Sequence, residues 1–168
     1  IAGRRFIQEG NMTERYKPNT TVACVIHCQG KFLLVEECIN GAVKFNQPAG
    51  HLEANESIIE ACAREIVEET GLELTPQALV GIYQFRAATD LAFVRYTFCI
   101  ELAKQQHATP RDNAITATHW LNLADITALG NQLRSPLVLK SIEDFLQQSD
   151  KNHSAQHTPL SLFNVDCF

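Results

Sequence analysis

Residues Gly50–Leu72 read GHLEANESIIEACAREIVEETGL, and their spacing decides how the rest of the chain is interpreted. As a pattern the segment, called the box below, is G-x5-E-x7-R-E-U-x-E-E-x-G-U, where U is apolar. Its fixed positions are filled by Gly50, Glu56, Arg64, Glu65, Ile66, Glu68, Glu69, Gly71 and Leu72. Because a helix advances about 100° per residue, the pattern predicts a helix that carries Glu65, Glu68 and Glu69 on one side. Cys62 and Ile66 belong to an apolar stripe on a different, inward side.

The three glutamates form an acidic cluster that needs a counter-charge. Carboxylates three and four residues apart on a helix repel one another unless a cation lies among them. A hard divalent cation takes carboxylate oxygens and keeps positions open for water and phosphates. We therefore interpret Glu65, Glu68 and Glu69 as ligands of Mg²⁺, with Mn²⁺ as the alternative ion. An acidic, solvated helix face would explain the charges alone, but not the glycines and the arginine at their spacings.

The remaining fixed positions of the box are expected to support the cluster. Arg64 lies eight residues after Glu56, about two helical turns, so its planar guanidinium could bridge to that carboxylate. On the helical wheel Arg64 is turned away from Glu65. Gly50 would let its backbone carbonyl approach the metal, which makes it a further expected ligand. Gly71 stands where a helix needs a left-handed C-terminal residue.

The complete box resembles the signature of the Nudix hydrolases, and the resemblance covers roughly residues 19–148. It implies an α/β fold, an α/β/α sandwich with a mixed β-sheet and the box helix packed on it. It also implies that the consecutive glutamates bind the metal and that one of them can act as a base. The expected catalytic residues are Arg64, Glu68, Glu69 and Asp112, the last being a loop acid where related enzymes often place one. Glu56 and Gly71 are expected to support the site.

Three further strings suggest the substrate class: TVACVIHCQGKFLLVEE, FNQPAGHLEANES and QLRSPLVLKSI. They are similar to the NudJ-type subgroup of small bacterial pyrophosphatases. That resemblance implies phosphate release from nucleoside di- and triphosphates, from thiamine pyrophosphate and from its hydroxymethylpyrimidine pyrophosphate precursor. The alternatives are ADP-ribose, dinucleoside polyphosphates or oxidised nucleotides as substrates. A sensor that binds a phosphorylated metabolite without cleaving it is less favoured, because every box glutamate is kept.

The expected mechanism is attack of an activated water on phosphorus, with Glu68 or Asp112 taking its proton. A solvated turn residue is the other interpretation of Asp112. Substrate contacts are expected from Phe45, by ring stacking, from Gln47, and from the phosphate-clamping arginines Arg95 and Arg134. For each arginine an ordinary surface charge is the alternative.

Composition bounds the partners and the compartment. The chain has 168 residues, 45% hydrophobic residues and a net charge of −5, which indicates one globular domain and argues against nonspecific nucleic-acid binding. No apolar run has the length of a membrane helix. The cysteines form no C-x-x-C pair, so buried free thiols in a reducing cytoplasm are expected. The expected partner is a small di- or triphosphate, and the protein is expected to be a monomer or a homodimer.

The predicted domain division is residues 1–18 as an N-terminal extension or cloning remnant, 19–148 as the hydrolase domain, and 149–168 as a flexible tail. Residues 1–11 lack the apolar segment of a secretory signal. Periodicity and turn signals predict strands over 20–27, 31–37, 43–47, 79–86, 91–102 and 116–121, and helices over 56–70, 123–129 and 135–148.

Overall fold

The computed structural model describes residues 16–89, 91–150 and 158–163. Four strands precede the box helix: β1 (Asn19–Cys28), β2 (Lys31–Ile39), β3 (Ala42–Asn46) and β4 (Ala49–His51). After helix α1 (Ile58–Thr70) come β5 (Ala78–Ala88), β6 (Leu91–Glu101), β7 (Ile115–Asn122), α2 (Leu123–Leu129), α3 (Leu137–Asp150) and β8 (Thr158–Pro159). Single 3-10 turns occupy Gly130–Gln132 and Leu160–Leu162. The predicted elements are therefore present, with ends that differ by about two residues.

The first two connections are tight turns of the type that the sequence predicts. Gln29-Gly30 joins β1 to β2, and Asn40-Gly41 joins β2 to β3. All four turn residues have positive φ, between 50° and 78°. Two consecutive residues with positive φ give a turn whose twist matches the right-handed twist of the flanking strands. Asparagine and glycine tolerate positive φ best.

The sheet has a split at its centre, and that split makes room for the site. β1 pairs with β6 in parallel along its length, but it pairs with β2 only near their shared turn, at His27–Phe32 and Cys28–Lys31. Beyond that point β4 pairs with β1, while β3 pairs with β2. The chain between β3 and β4 therefore bridges the two halves of the sheet, and it leads directly into the box.

Helices cover the two faces of this mixed sheet. One core cluster joins α1 to β1 and β6 through Cys62, Ile66, Val22, Cys24 and Phe98. The other joins α2 and α3 to the opposite face through residues that include Ile126, Ile142, Phe145, Val25 and Cys99. Alternate residues of β1 thus enter opposite clusters, as the period of a strand with two buried faces requires. The predicted α/β/α sandwich with a mixed sheet is confirmed.

Helix α1 is closed at both ends by its own sequence. Ser57 is the N-cap, and its side chain accepts a hydrogen bond from Glu60 N while the Glu60 carboxylate accepts one from Ser57 N. This reciprocal capping box satisfies two amide groups that a helix start otherwise leaves free. At the other end Gly71 has φ 71° and donates its N–H to the Val67 carbonyl. The left-handed glycine predicted there is confirmed.

Two features depart from, or extend, the predictions. Cys24, Cys28, Cys62 and Cys99 are buried free thiols, but Cys38 is exposed, so the expectation of burial is wrong for that residue. Its strand β2 runs outward at that point into the Asn40-Gly41 turn. Thr158–Pro159 pairs with the start of β5, and Leu160 and Phe163 pack on the core beside α1. Among the described residues no helix is long and apolar enough to cross a membrane.

Candidate active site

Arg64 is the centre of an ion-pair network on α1. Its Nε and Nη2 donate to the two oxygens of Glu56 at 3.0 and 2.8 Å, which is the predicted bridge in bidentate form. Its Nη1 also donates to Glu65 Oε1 at 2.7 Å and to Glu68 Oε2 at 3.2 Å. The expectation that Arg64 turns away from Glu65 is therefore wrong, because the long side chain curls back over its own helix. These partners raise the pKa of Arg64, chiefly through the bond to Glu56.

The two glycines of the box are required for different reasons. A Cβ placed on Gly50 would lie 1.9 Å from Glu65 Oε1, so any other residue there would displace that carboxylate from its observed position. A Cβ on Gly71 would lie 2.2 Å from the Thr109 carbonyl oxygen, in addition to the positive φ. Gly50 thus shapes the carboxylate cluster, whereas Gly71 holds the helix end against the loop before β7. The loop is also held by Asp112 N, which donates to the Glu68 carbonyl at 2.8 Å.

Glu69 is the box carboxylate that is most shielded from solvent. Its Oε2 accepts a hydrogen bond from Ala49 N at 2.9 Å. Burial raises the pKa of Glu69 to about 8, and the negative charges of Glu65, Glu37 and Asp112 add to the rise. Burial also raises the pKa of Glu65, although Arg64 opposes the shift. The folded protein therefore brings several carboxyl groups together at this point and disfavours their joint ionisation.

These carboxylates fit a hard divalent cation by chemistry. Their oxygens are the donors that Mg²⁺ and Mn²⁺ prefer, and a charge among them would offset the unfavourable burial of Glu69. Within the described residues, however, no three His, Cys, Asp or Glu side chains are already placed to hold a metal ion. Arg64 engages Glu65 and Glu68 instead, so cation binding would require those two side chains to turn.

A cleft of about 340 Å³ opens beside Glu69 and Gly50. It is lined by Arg95 from β6 and by Arg134 and Ser135 from the segment before α3, as well as by Glu37 and Asn46. Three buried polar atoms of this lining have no hydrogen-bond partner in the part of the chain that is described: Arg95 Nη1, Asn46 Oδ1 and Ser135 Oγ. Buried polar groups without partners are costly, so this set indicates a polar ligand.

The two predicted arginines meet in this cleft. Burial lowers the pKa of Arg95, and the positive charge of Arg134 lowers it further, while Glu69 acts in the opposite direction. Arg134 donates from Nη1 to Glu37 Oε1 at 2.7 Å. Glu37 was not predicted as a site residue, because no pattern in the sequence of β2 indicates that the end of this strand lies beside the box. Of the two arginines, Arg95 therefore has the N–H donor that lacks a partner among the described residues, at Nη1.

The other predicted contacts lie elsewhere. Phe45 is 8% exposed and packs in the cluster under α3, with its ring against His119. Gln47 is 1% exposed, and its Nε2 donates to Val138 O and Ser141 Oγ of α3. Neither side chain lines the cleft. Asp112 is exposed and accepts a hydrogen bond from Ala114 N of its own loop, although its charge is felt at Glu69.

The far end of the cleft is apolar, and the sequence did not predict it. Phe85, Ala87, Leu91 and Phe93 line it, all from the β5–β6 hairpin. Phe85 and Phe93 are direct partners in that ladder. The only signal in the sequence is that aromatic and polar residues alternate in β5, at Tyr83-Gln84-Phe85-Arg86, which is equally typical of ordinary sheet packing. In β6 Phe93 lies between the apolar residues Ala92 and Val94 and gives no such signal.

The fold and the box combine an acidic helix, an α/β/α sandwich and a cleft lined by two arginines. A sequence model of the NUDIX domain matches residues 16–140. The chain belongs to the Nudix hydrolase family, whose members use divalent metals such as Mg²⁺ or Mn²⁺. It is therefore a hydrolase that acts on pyrophosphate bonds.

Individual relatives show which members of the family the chain is similar to. It is 44% identical over 147 residues to the phosphatase NudJ of Escherichia coli K12, across 88% of this chain and 91% of that protein. The predicted resemblance to NudJ-type enzymes is confirmed. A NUDIX hydrolase from Nitrosomonas europaea superposes with a TM-score of 0.77 at 40% identity, covering 88% of this chain and 97% of the other. The MutT protein of Methanosarcina mazei Go1 superposes with a TM-score of 0.65 at 25% identity, covering 80% of this chain and 98% of that one.

Proposed function

We propose that the protein is a Mg²⁺-dependent phosphatase of small diphosphate and triphosphate metabolites. The proposed substrates are thiamine pyrophosphate, its hydroxymethylpyrimidine pyrophosphate precursor and nucleoside di- and triphosphates, with release of phosphate. The observation that carries the proposal is that Glu69 and Arg95 line one cleft, and that Arg95 Nη1 has no hydrogen-bond partner among the described residues. The phosphatase name of the 44% identical relative supports the same conclusion.

Two arginines bind the phosphates in this proposal. Arg95 and Arg134 carry like charges close enough to disfavour one another, and a phosphate between them would remove that cost. Glu37 fixes the guanidinium of Arg134 through the 2.7 Å hydrogen bond. It does not pair with Arg95, which keeps its charge for the phosphate. Arg95 Nη1, which has no partner among the residues that the structure describes, then donates to a phosphate oxygen.

The box residues supply the rest of the chemistry. Glu65, Glu68, Glu69 and the Gly50 carbonyl would hold the cation, which would supply charge neutralisation of the phosphates and a more acidic water. Arg64, tied to Glu56, orients Glu65 and Glu68 as a positioning residue. Glu68, exposed on the helix, or Asp112 takes the proton of the attacking water. A new P–O bond forms as the anhydride P–O bond breaks, and phosphate leaves.

The test is phosphate and pyrophosphate release in the presence of Mg²⁺ from the proposed substrates, ADP-ribose and a dinucleoside polyphosphate. Glu69→Gln removes a box carboxylate, and Glu73→Gln is the matched control, because Glu73 is exposed and pairs only with Arg111 in the described part of the chain. Orthophosphate release that Glu69→Gln abolishes and Glu73→Gln retains would support the proposal. Activity confined to ADP-ribose or dinucleotides would overturn the substrate assignment, and no release from any compound would overturn the proposal altogether.

A further inference from the structure

The apolar end of the cleft holds a pair of stacked aromatic rings that the hydrolytic chemistry does not use. Phe85 and Phe93 have ring centroids 5.0 Å apart and an interplanar angle of 12°. Both are partly exposed, and neither belongs to the two core clusters formed by the described residues. Large aromatic side chains that lie outside a core and line a cleft are typical of a ligand-binding wall.

Arg95 connects this wall to the phosphate end. It follows Phe93 by two residues on β6, so the two side chains share a face of the strand. Its guanidinium carbon lies 5.7 Å from the centroid of the Phe85 ring, and its Nη1 has no partner among the described residues. A ligand that places a phosphate on Arg95 would therefore bring its adjoining group against the two rings.

The polar atoms of the same cleft indicate what kind of group that is. Asn46 Oδ1 and Ser135 Oγ are buried there without partners in the described chain. A heteroaromatic ring offers both a flat face for the phenylalanines and edge atoms that donate or accept hydrogen bonds. An aliphatic chain would fill the apolar end but leave those polar atoms unsatisfied, at a cost.

We propose that Phe85 and Phe93 form a subsite for a planar heteroaromatic ring, and so select ring-bearing diphosphates over ringless ones. This inference rests on the proposed function, because it assigns the group attached to the phosphates that Arg95 and Arg134 bind. The ordinary role of a cross-strand aromatic pair is to stabilise the hairpin. The experiment must therefore separate ligand recognition from stability.

Binding is measured first, by calorimetry with Mg²⁺, using two probes that resist hydrolysis. One is uridine α,β-methylene diphosphate, and the other is methylenediphosphonate, its ringless counterpart. For the wild type we expect tighter binding of the uridine compound. Phe93→Ala should weaken that binding by about tenfold, the scale of one aromatic–base stack, and leave the ringless probe unchanged. Phe93→Tyr, which keeps the ring, should restore it.

Two controls keep the result specific. Tyr96→Leu removes an aromatic side chain from the same strand but from the face that packs on the α1 core, so it should change the melting temperature more than the ratio of the two affinities. Phe85→Ala should repeat the Phe93→Ala pattern. If both alanine variants bind the two probes like the wild type, or lose both equally, the ring subsite is overturned. Stronger binding of geranyl diphosphate than of the uridine compound would also overturn it.

Hydrolysis then separates this inference from the proposed function. With UTP and inorganic tripolyphosphate as substrates, Phe93→Ala should raise KM about tenfold for UTP only, with kcat nearly unchanged. Ring-dependent binding without any hydrolysis would leave the subsite standing and remove the proposed function. Hydrolysis of both compounds with equal KM, unaltered by Phe93→Ala, would keep the function and remove the subsite.

Discussion

The two ends of the cleft, at the box and at the β5–β6 hairpin, differ in how many of their side chains already have partners within the protein. At the box end Arg64 is bonded to Glu56, Glu65 and Glu68, and Glu69 is held by Ala49 N. At the hairpin end the rings of Phe85 and Phe93 stack on each other, and Arg95 Nη1 has no hydrogen-bond partner within the described chain. The box side chains thus already have hydrogen-bond partners within the protein, and Glu65 and Glu68 must turn from Arg64 to bind a cation. The hairpin end instead presents surfaces that a ligand would complete. Changes at the box should therefore alter kcat, and changes at the hairpin should alter affinity.

The largest effect is expected from Gly50→Ala. The added methyl would overlap the Glu65 carboxylate, 1.9 Å away, but that group is the end of a flexible side chain and can move. We expect kcat to fall by about a hundredfold, because metal ligands tolerate little displacement, with a melting temperature close to that of the wild type. Steady-state kinetics and thermal unfolding of the same samples would measure both.

Gly71→Ala is the matched comparison within the box. Its methyl would meet the Thr109 backbone oxygen at 2.2 Å, and its φ of 71° disfavours alanine. This variant should lose more than about 1 kcal/mol of unfolding free energy. Equal losses of stability in the two glycine variants would contradict the distinction drawn between them.

Arg64→Lys should break the box network while keeping its charge. Lysine cannot make the bidentate bond to Glu56, so Glu65 and Glu68 would be less well oriented. We expect kcat to fall by about tenfold or more, with an equal effect on ring-bearing and ringless substrates and little change in KM. Arg111→Lys, at an exposed ion pair of 3.3 Å with Glu73, should leave both constants unchanged. A rise in KM alone would place Arg64 in substrate binding rather than in positioning.

Arg95→Gln should have the opposite kinetic signature. Losing one charge-assisted hydrogen bond to phosphate costs about 1.5–3 kcal/mol, so KM should rise by about tenfold or more for ring-bearing and ringless substrates alike. Phe93→Ala, in contrast, should affect only the ring-bearing class. If Arg95→Gln spared the ringless tripolyphosphate, Arg95 would be a ring contact and not a phosphate clamp.

The smallest effect is a pH dependence of the metal-free protein. The pKa of Glu69 is raised from 4.5 to about 8, first by burial. A raised carboxyl pKa stabilises the folded state fully below the unfolded pKa, and that contribution is lost as pH rises through the folded pKa. In EDTA the melting temperature should therefore fall by a few degrees between about pH 5 and about pH 8. Glu69→Gln should flatten the fall, and an unchanged slope would contradict the assignment.

Local sequence was sufficient for most of the fold. The capping box at Ser57, the left-handed Gly71 and the Gln29-Gly30 turn are all decided within a few residues, so local sequence is enough to determine them. Strand β4 was missed because three residues carry no usable periodicity. Its conformation comes from pairing with β1, which is distant in sequence.

The candidate site also has a part that local sequence predicts and a part that it does not. Arg64 and the three glutamates lie on α1, so helical geometry alone placed them together, and Glu56 lies just before the N-cap Ser57. Glu37, Phe85 and Phe93 come from three strands, and no local pattern shows that they reach one cleft with Glu69. Phe45 and Gln47 precede the box directly, yet the packing of α3 places them in the interior.

The amino-acid sequence by itself determined the acidic helix, because helical geometry converts its spacings directly into a cluster of side chains. It also indicated the family and the sandwich fold, because the box resembles a known signature. Only the tertiary structure decided which side chains share the cleft with that helix. The physical reason is that β1 and β2 part beyond their turn, and the gap brings together residues that the chain keeps more than thirty positions apart, such as Glu37 and Glu69.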